Sequence, residues 1–316
     1  MDYALETDGM SKVYKSLRGH VRALEPIDLK VETGKVFGLL GGNGAGKSTF
    51  VKTVLRICRP TTGTCKILGI DARDPAARQN VGYLPEGTNF PRYLTGRGVC
   101  EYFGKLKGLT GATLKTEIEH KLKIVGMQDW GDRKVTKYSK GMKQRIGLAQ
   151  AMMGGPRLIM LDEPTDGVDP SGRHAIRDVI RALGAEGATV FLNSHLLAEV
   201  EAVCDEIAIM YRGRLLRRGP VKQLTEEMSI REGRMQLRFR TGELPAQLPG
   251  LLSGATREDG GFKCSVKDRD EIPALIDALR DAGVKVYELE QYHASLEEAF
   301  LQIVEDGDAM GVGGQQ

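Results

Sequence analysis

Apolar positions along this chain follow two rhythms. Unbroken runs at residues 35–40 (KVFGLL), 158–161 (LIML) and 189–193 (TVFLN) are too short for buried helices and read as strands covered on both faces. Between them apolar residues recur three and four apart: Phe50, Val54 and Ile57; Ile146, Ala149 and Met152; Ile176, Val179, Ile180 and Leu183. These predict helices, the first over 50–58 and stopped by Pro60, the last ended by Gly184. Looser patterns predict strands at 21–31, 65–68 and 81–84, and a hairpin over 207–218 turning on Arg212-Gly213. Residues 96–153 are mainly helical in pattern, with polar breaks at 108–112 and 131–134, and read as an inserted helical subdomain. Strands and helices alternate in chain order, so the fold class is α/β.

Near residue 228 the pattern changes. A strand at 235–240 (MQLRFR), a Pro- and Gly-rich loop at 244–261 and a strand at 262–266 are followed by a helix at 271–282 with Ile272, Leu275, Ile276 and Leu279 on one face. A strand at 284–289, a capping box from Ser295 to Glu298 and a helix at 299–304 complete a small α+β module without a chemical motif. The expected division is 1–228 for the main domain, with its helical part about 95–155, then 229–304 for the module and 305–316 as a disordered tail.

Candidate chemistry gathers where strands end. Residues 41–49 (GGNGAGKST) stand between a strand and a helix and fit the phosphate-binding pattern of Gly, four residues, Gly, Lys, Ser/Thr. Gly41, Gly42, Asn43, Gly44, Ala45 and Gly46 form a loop whose N–H groups can face a phosphate at the start of a helix. Lys47 supplies a point charge, the Ser48 hydroxyl can ligate Mg²⁺, and Thr49 can reach a further phosphate oxygen. The run ending at Leu161 closes in two acids: Asp162, placed to hold Mg²⁺, and Glu163, placed to orient or deprotonate a water. His195 follows the next strand and is a candidate γ-phosphate contact, whereas His20, His120, His174 and His293 read as surface or packing residues. Ser139 and Gly141 stand where another helix begins, a second candidate phosphate-facing helix end. Tyr14 is placed either to stack on a nucleobase or to fill a half-buried strand position. Phe90, Pro91, Tyr93 and Leu94 are either core or a docking surface.

Composition narrows the partners. The 316 residues are 41% hydrophobic and 28% charged, enough for a real core. A formal net charge of +3 is too small to argue for nucleic acid or anionic lipid. The five cysteines, Cys58, Cys65, Cys100, Cys204 and Cys264, show no CxxC spacing and read as reduced thiols, with neither a disulfide framework nor a zinc site. The acidic start MDYALETD lacks an apolar signal core, and no apolar run is long enough to span a bilayer.

The phosphate loop, Ser139-Lys140-Gly141-Met142, Leu161-Asp162-Glu163-Pro164 and His195, in this order and at these gaps, resemble the nucleotide-binding subunits of ABC transporters over about residues 4–225. The run Asp162-Glu163-Pro164-Thr165-Asp166-Gly167-Val168-Asp169-Pro170 is the most specific part. With its tail module the whole chain looks like the ATPase subunit of a type-2 ABC exporter. The resemblance implies a P-loop NTPase cassette with an antiparallel β subdomain and an inserted helical subdomain. It also implies residue roles: Tyr14 stacking on adenine, residues 41–49 as the Walker A loop, Asp162 as the Walker B aspartate and Glu163 as the catalytic glutamate. Asp166, Gly167, Val168 and Asp169 would form the D-loop, and His195 would be the switch histidine. Ser139, Lys140, Gly141 and Met142 would be the signature motif facing ATP of the opposite subunit in a homodimer. ATP and Mg²⁺ are the implied ligands. Separate multi-span membrane permease subunits are the implied partners, which would hold the chain at the cytoplasmic face of the membrane. Two departures stand out. Glu86 replaces the family's glutamine, which leaves it as a candidate Mg²⁺ ligand, and Lys140 replaces a glycine, pointing either outward or toward nucleotide. A soluble ABC-type ATPase, the alternative, usually carries a second cassette, a coiled coil or zinc-binding insertions, and this chain has none of them.

Overall fold

The computed structural model describes residues 2–16, 19–231, 234–241, 255–258, 261–292 and 295–308. In chain order the elements are β1 (Tyr3–Ser16), β2 (Gly19–Glu32), β3 (Val36–Leu40), α1 (Lys47–Val54), β4 (Thr62–Ile67), β5 (Ile70–Asp71) and β6 (Val81–Leu84). Next come α2 (Gly96–Leu106), α3 (Gly111–Ile124), α4 (Lys140–Ala151), β7 (Leu158–Asp162), α5 (Pro170–Ala185), β8 (Thr189–Ser194), α6 (Leu197–Val203), β9 (Glu206–Tyr211) and β10 (Arg214–Pro220). The remainder is α7 (Val221–Ser229), β11 (Ile230–Arg231), β12 (Arg234–Thr241), β13 (Thr256–Glu258), β14 (Gly261–Val266), α8 (Glu271–Asp281), β15 (Val286–Gln291) and α9 (Leu296–Gly307). Two compact units result: Met1–Gly219 with Ile303–Gln316, and Pro220–Gln302.

The first unit holds two sheets. One runs β10-β9-β3-β8-β7-β6 and the other β2-β1-β4-β5. In the larger sheet β3, β6, β7, β8 and β9 are mutually parallel, so their carboxyl ends share one edge. Every residue of β3, β7 and β8 is buried, as their unbroken apolar runs require. Phe191 of β8 stacks between Phe37 of β3 and Phe50 of α1, at centroid distances of 5.6 and 5.9 Å, and ties the sheet to the helix after the glycine loop. The helices α2, α3 and α4 lie between β6 and β7 in the chain, as the insertion reading expects. The β9–β10 turn takes positive φ at both Arg212 (46°) and Gly213 (79°), the hairpin geometry that their pairing predicts.

The second unit is an antiparallel sheet, β11-β12-β14-β13, with β15 also paired to β12 beyond the short β11, and it carries α8. Its own core packs Phe239 on Phe262 at 4.8 Å, with Leu275 and Leu279 of α8. The capping box forms: Ser295 Oγ accepts from the Glu298 amide (3.2 Å) while Glu298 Oε2 accepts from the Ser295 amide (2.9 Å).

Three expectations change. The first helix ends at Val54, well before Pro60, because Arg56 turns left-handed (φ 59°), and Ile57 is exposed rather than inward. Strand β1 begins at Tyr3; register shifts at Tyr3/Leu5 and Thr7/Met10 break the alternation that would have announced it. The last helix runs to Gly307 instead of ending at 304, and Asp308 receives the Tyr211 hydroxyl (2.9 Å). Residues 309–316, His293 and most of the 244–261 loop lie outside the described residues.

Candidate active site

The glycine loop leaves β3 and enters α1 at the shared sheet edge. Gly46, the residue before α1, has φ 103°, and a Cβ there would stand 2.6 Å from the Ala23 carbonyl oxygen, so both conformation and space require glycine. Lys47 is buried. Its ammonium donates back to the Gly41 (2.8 Å) and Gly42 (3.3 Å) carbonyls and lies 3.5 Å from Glu163 Oε1.

Glu163 follows β7 with φ 52°, a strained left-handed conformation for a non-glycine residue. Its amide donates to the Asn193 carbonyl (2.9 Å). That turn places the carboxylate between two partners, Lys47 on Oε1 and the His195 ring Nδ1 at 2.8 Å from Oε2. The His195 amide donates to the same oxygen (3.3 Å). Residues from three different strand ends thus meet at one carboxylate.

Asp162 is fully buried behind this pair. Its Oδ1 accepts from Ser48 Oγ (3.1 Å) and from the Asn193 side-chain amide, while Oδ2 is buried without a partner. Burial pushes the Asp162 carboxyl above the usual carboxylate range, against the two donors, which pull it down; the charges of Glu86 and Glu163 push it up further. A buried acid with one orphaned oxygen, beside a serine hydroxyl, fits a divalent cation. Glu86 is exposed on the cleft wall. Among the described residues no three His, Cys, Asp or Glu side chains cluster as a metal group, so phosphate and water oxygens would have to complete any such shell.

A cleft of about 1410 Å³ opens over these groups. Asn43, Gly44, Ala45, Gly46, Lys47, Ser48, Thr49, Glu86, Glu163, Asp166 and His195 line it, while Gly41 and Gly42 of the predicted loop do not. The far wall was not anticipated: His20, Val21 and Arg22 of β2, Glu25, and Arg212 and Arg214 of the β9–β10 hairpin. His20 therefore belongs to the cleft and not merely to the surface. Tyr14 does not line the cleft, but its cross-strand partner Val21 does, and the Tyr14 hydroxyl reaches Cys58 Sγ (3.5 Å).

Ser139, Lys140, Gly141 and Met142 stand at the start of α4, outside this chain's own cleft. Ser139 Oγ caps the helix through the Met142 amide (3.2 Å). Lys140 is not free: it pairs with Asp166 Oδ2 at 2.7 Å. Gly167, Val168 and Asp169 continue from Asp166 into α5. Two polar residues were missed. Asn193, the last residue of an otherwise apolar run, holds Asp162, and its polarity there was a legible signal. Gln144 donates to the Glu163 carbonyl (3.4 Å) and meets Thr88 Oγ1 (3.3 Å), but nothing in its sequence setting marks it. Tyr93 is highly exposed, Phe90 and Leu94 partly so.

A parallel sheet with a phosphate loop, two acids and a histidine at one edge defines a P-loop nucleotide hydrolase cassette. The chain belongs to the ABC transporter ATP-binding proteins, and it is an ATPase. The family model for ABC transporters matches residues 24–166, and the model for the C-terminal domain of DrrA1-3-like ATP-binding proteins matches 219–304. An uncharacterized ABC transporter ATP-binding protein of Synechocystis is 36% identical over 94% of this chain and 84% of its own length. The daunorubicin resistance ATP-binding protein DrrA3 of Streptomyces coeruleorubidus is 33% identical over 96% of this chain and 97% of its own. Among solved structures, the ATP-binding subunit of an ABC transporter superposes with TM-score 0.65 at 28% identity, covering 72% of this chain and 95% of that one. A dimeric post-hydrolysis cassette bound to ADP and Pi shares the fold, with TM-score 0.64 at 22% identity over 68% of this chain and 98% of that one.

Proposed function

We propose that this chain is the motor subunit of an ABC exporter, hydrolysing ATP between two copies that close face to face and drive separate membrane subunits. The observation that carries the reading is the Glu163 carboxylate, held between Lys47 and His195 at the mouth of the phosphate loop. Lys47 would hold the β- and γ-phosphates, and His195 would donate toward the γ-phosphate as charge spreads. Glu163 would align the attacking water and accept its proton. Ser48 and Asp162 would hold Mg²⁺, whose charge would offset that of the phosphates. Val21 and Tyr14 would flank the adenine end, and Ser139 and Gly141 would face the nucleotide of the second copy.

The exporter assignment is supported by relatives that match nearly full length, the C-terminal module included, and are named for drug resistance. Among the described residues no helix is long and apolar enough to cross a membrane. The reading assigns the crossing to other chains, with the chain at the cytoplasmic face and the exposed Tyr93 region as the surface offered to them. The proposed organisation is a cassette followed by an accessory module; the compact units divide at Gly219 and Pro220, a little before the 228 expected from the sequence.

Glu163→Gln tests the reading. It keeps the shape of the side chain and removes the base. ATP should still bind, turnover should fall at least about a hundredfold, the scale of a lost general base, and a dimer should accumulate on size exclusion with ATP and Mg²⁺. Unchanged turnover would remove Glu163 from the chemistry; a persistently monomeric variant would remove the face-to-face closure.

A further inference from the structure

We propose that Lys140 is a positioning residue: its ion pair with Asp166 fastens the start of α4 to the loop after Glu163, so that both present one surface. The part concerning catalysis between two copies rests on the function proposed above.

Contact runs along successive positions. Lys140 Nζ lies 2.7 Å from Asp166 Oδ2. The lysine stem crosses Gly167 so closely that a Cβ there would collide with its Nζ, Cδ and Cε atoms, and Gly167 itself has φ 62°. At the next residue, a Cβ on Gly141 would stand 3.1 Å from Val168 Cγ1 and 3.6 Å from Asp169 Oδ1. One turn further along α4, Gln144 donates to the Glu163 carbonyl. The loop is also tied to the cleft: the Asp166 amide donates to the Glu163 carbonyl (3.3 Å), and Asp166 lines the cleft beside Glu163 and His195. The hydrogen bond from Lys140 holds the Asp166 carboxyl below its ordinary range. A displacement of α4 is therefore passed to the segment carrying Glu163 through side chains already in contact.

This geometry separates two roles for Lys140. If it served the second copy's phosphates, its removal would weaken nucleotide binding and Asp166 would be irrelevant to the effect. If it positions the loop, Lys140 and Asp166 act as one unit. Both side chains are about half exposed, so the expected effect is modest, about threefold to fivefold.

The test uses full-length chain carrying Lys140→Ala, Asp166→Ala, both together, and Lys140→Arg. ATPase kcat and KM are measured, with hydrogen exchange at residues 165–169 in the absence of nucleotide. Each single alanine variant should lower kcat about threefold to fivefold, the range of an exposed ion pair, with KM for ATP little changed. The double variant should be no worse than either single, Lys140→Arg should recover most of the rate, and exchange in the loop should rise in both singles. Additive losses, a raised KM in Lys140→Ala alone, unchanged kcat in both singles, or unchanged exchange would each overturn the proposal. Exchange without nucleotide judges the pair by itself; a Glu163→Gln variant that stays monomeric would remove the closure reading and leave the pair standing.

Discussion

Replacing Phe191 by alanine removes the ring that joins three parts of the site. Phe191 is fully buried between Phe37, on the strand entering the phosphate loop, and Phe50, on the helix leaving it; four residues on, the same strand delivers His195. Phe-to-Ala in a closed core costs about 3–5 kcal/mol, a large part of the roughly 5–15 kcal/mol that holds a domain folded. With a urea dependence of about 3 kcal/mol/M for a unit of this size, the midpoint should fall by about 1–1.7 M. The assay is specific because Trp130 is the sole tryptophan of the sequence and lies in the first unit, with the Arg133 guanidinium 4.2 Å from its ring centroid. Its fluorescence reports that unit, while alkylation of the buried Cys264 reports the separate core around Phe239 and Phe262. The Trp130 transition should move and the Cys264 transition should not. A Trp130 shift under about 0.3 M, equivalent to about 1 kcal/mol, would refute the role given to the stacked rings. Phe191→Leu should cost only about 1–1.5 kcal/mol, since most of the volume is kept, and should retain kcat at saturating ATP.

Other outcomes can be checked in the same preparations. Asn193→Ala withdraws a donor from the buried Asp162 carboxylate and should lower the stability of the first unit by about 1.5–3 kcal/mol in urea titration; a loss under about 0.5 kcal/mol would mean the bond carries little. Gly82→Ala drives a methyl group into the Ala151 carbonyl at the end of α4, and overpacking of this kind costs about 1–3 kcal/mol by the Trp130 transition. Burial pushes the Cys65 and Cys100 thiols up to about 12. At pH 8 the thiolate fraction of each is then on the order of 10⁻⁴, so iodoacetamide on the native protein should modify half-buried Cys58 well before either, and labelling of Cys65 and Cys100 should speed up as pH rises. Rapid modification of Cys100 at pH 8, read by peptide mass spectrometry, would contradict its burial.

What the sequence determines by itself is local and strongly patterned. The strand–glycine-loop–helix around Lys47, the two acids closing an apolar run at Asp162 and Glu163, the hairpin at Arg212-Gly213 and the capping box at Ser295 all follow from residue types whose backbone preferences leave few alternatives. The α/β class follows from the alternation of short buried runs with helical spacing. Bulged β1 was lost because its register shifts erase the period on which such a reading depends.

Tertiary structure decides what the chain brings together from far apart. That Lys47 and His195 meet on one Glu163 carboxylate depends on parallel strands aligning their ends, a register no single segment encodes. Asn193 beneath Asp162, Gln144 against Glu163 and the cleft wall from His20 to Arg22 are contacts between distant elements. Lys140 is the sharpest case: its position in the sequence leaves two directions open and names no partner, and only the packed chain brings it to Asp166, 26 residues away. Side-chain direction is set by which partner lies within reach, and reach is a property of the packed chain.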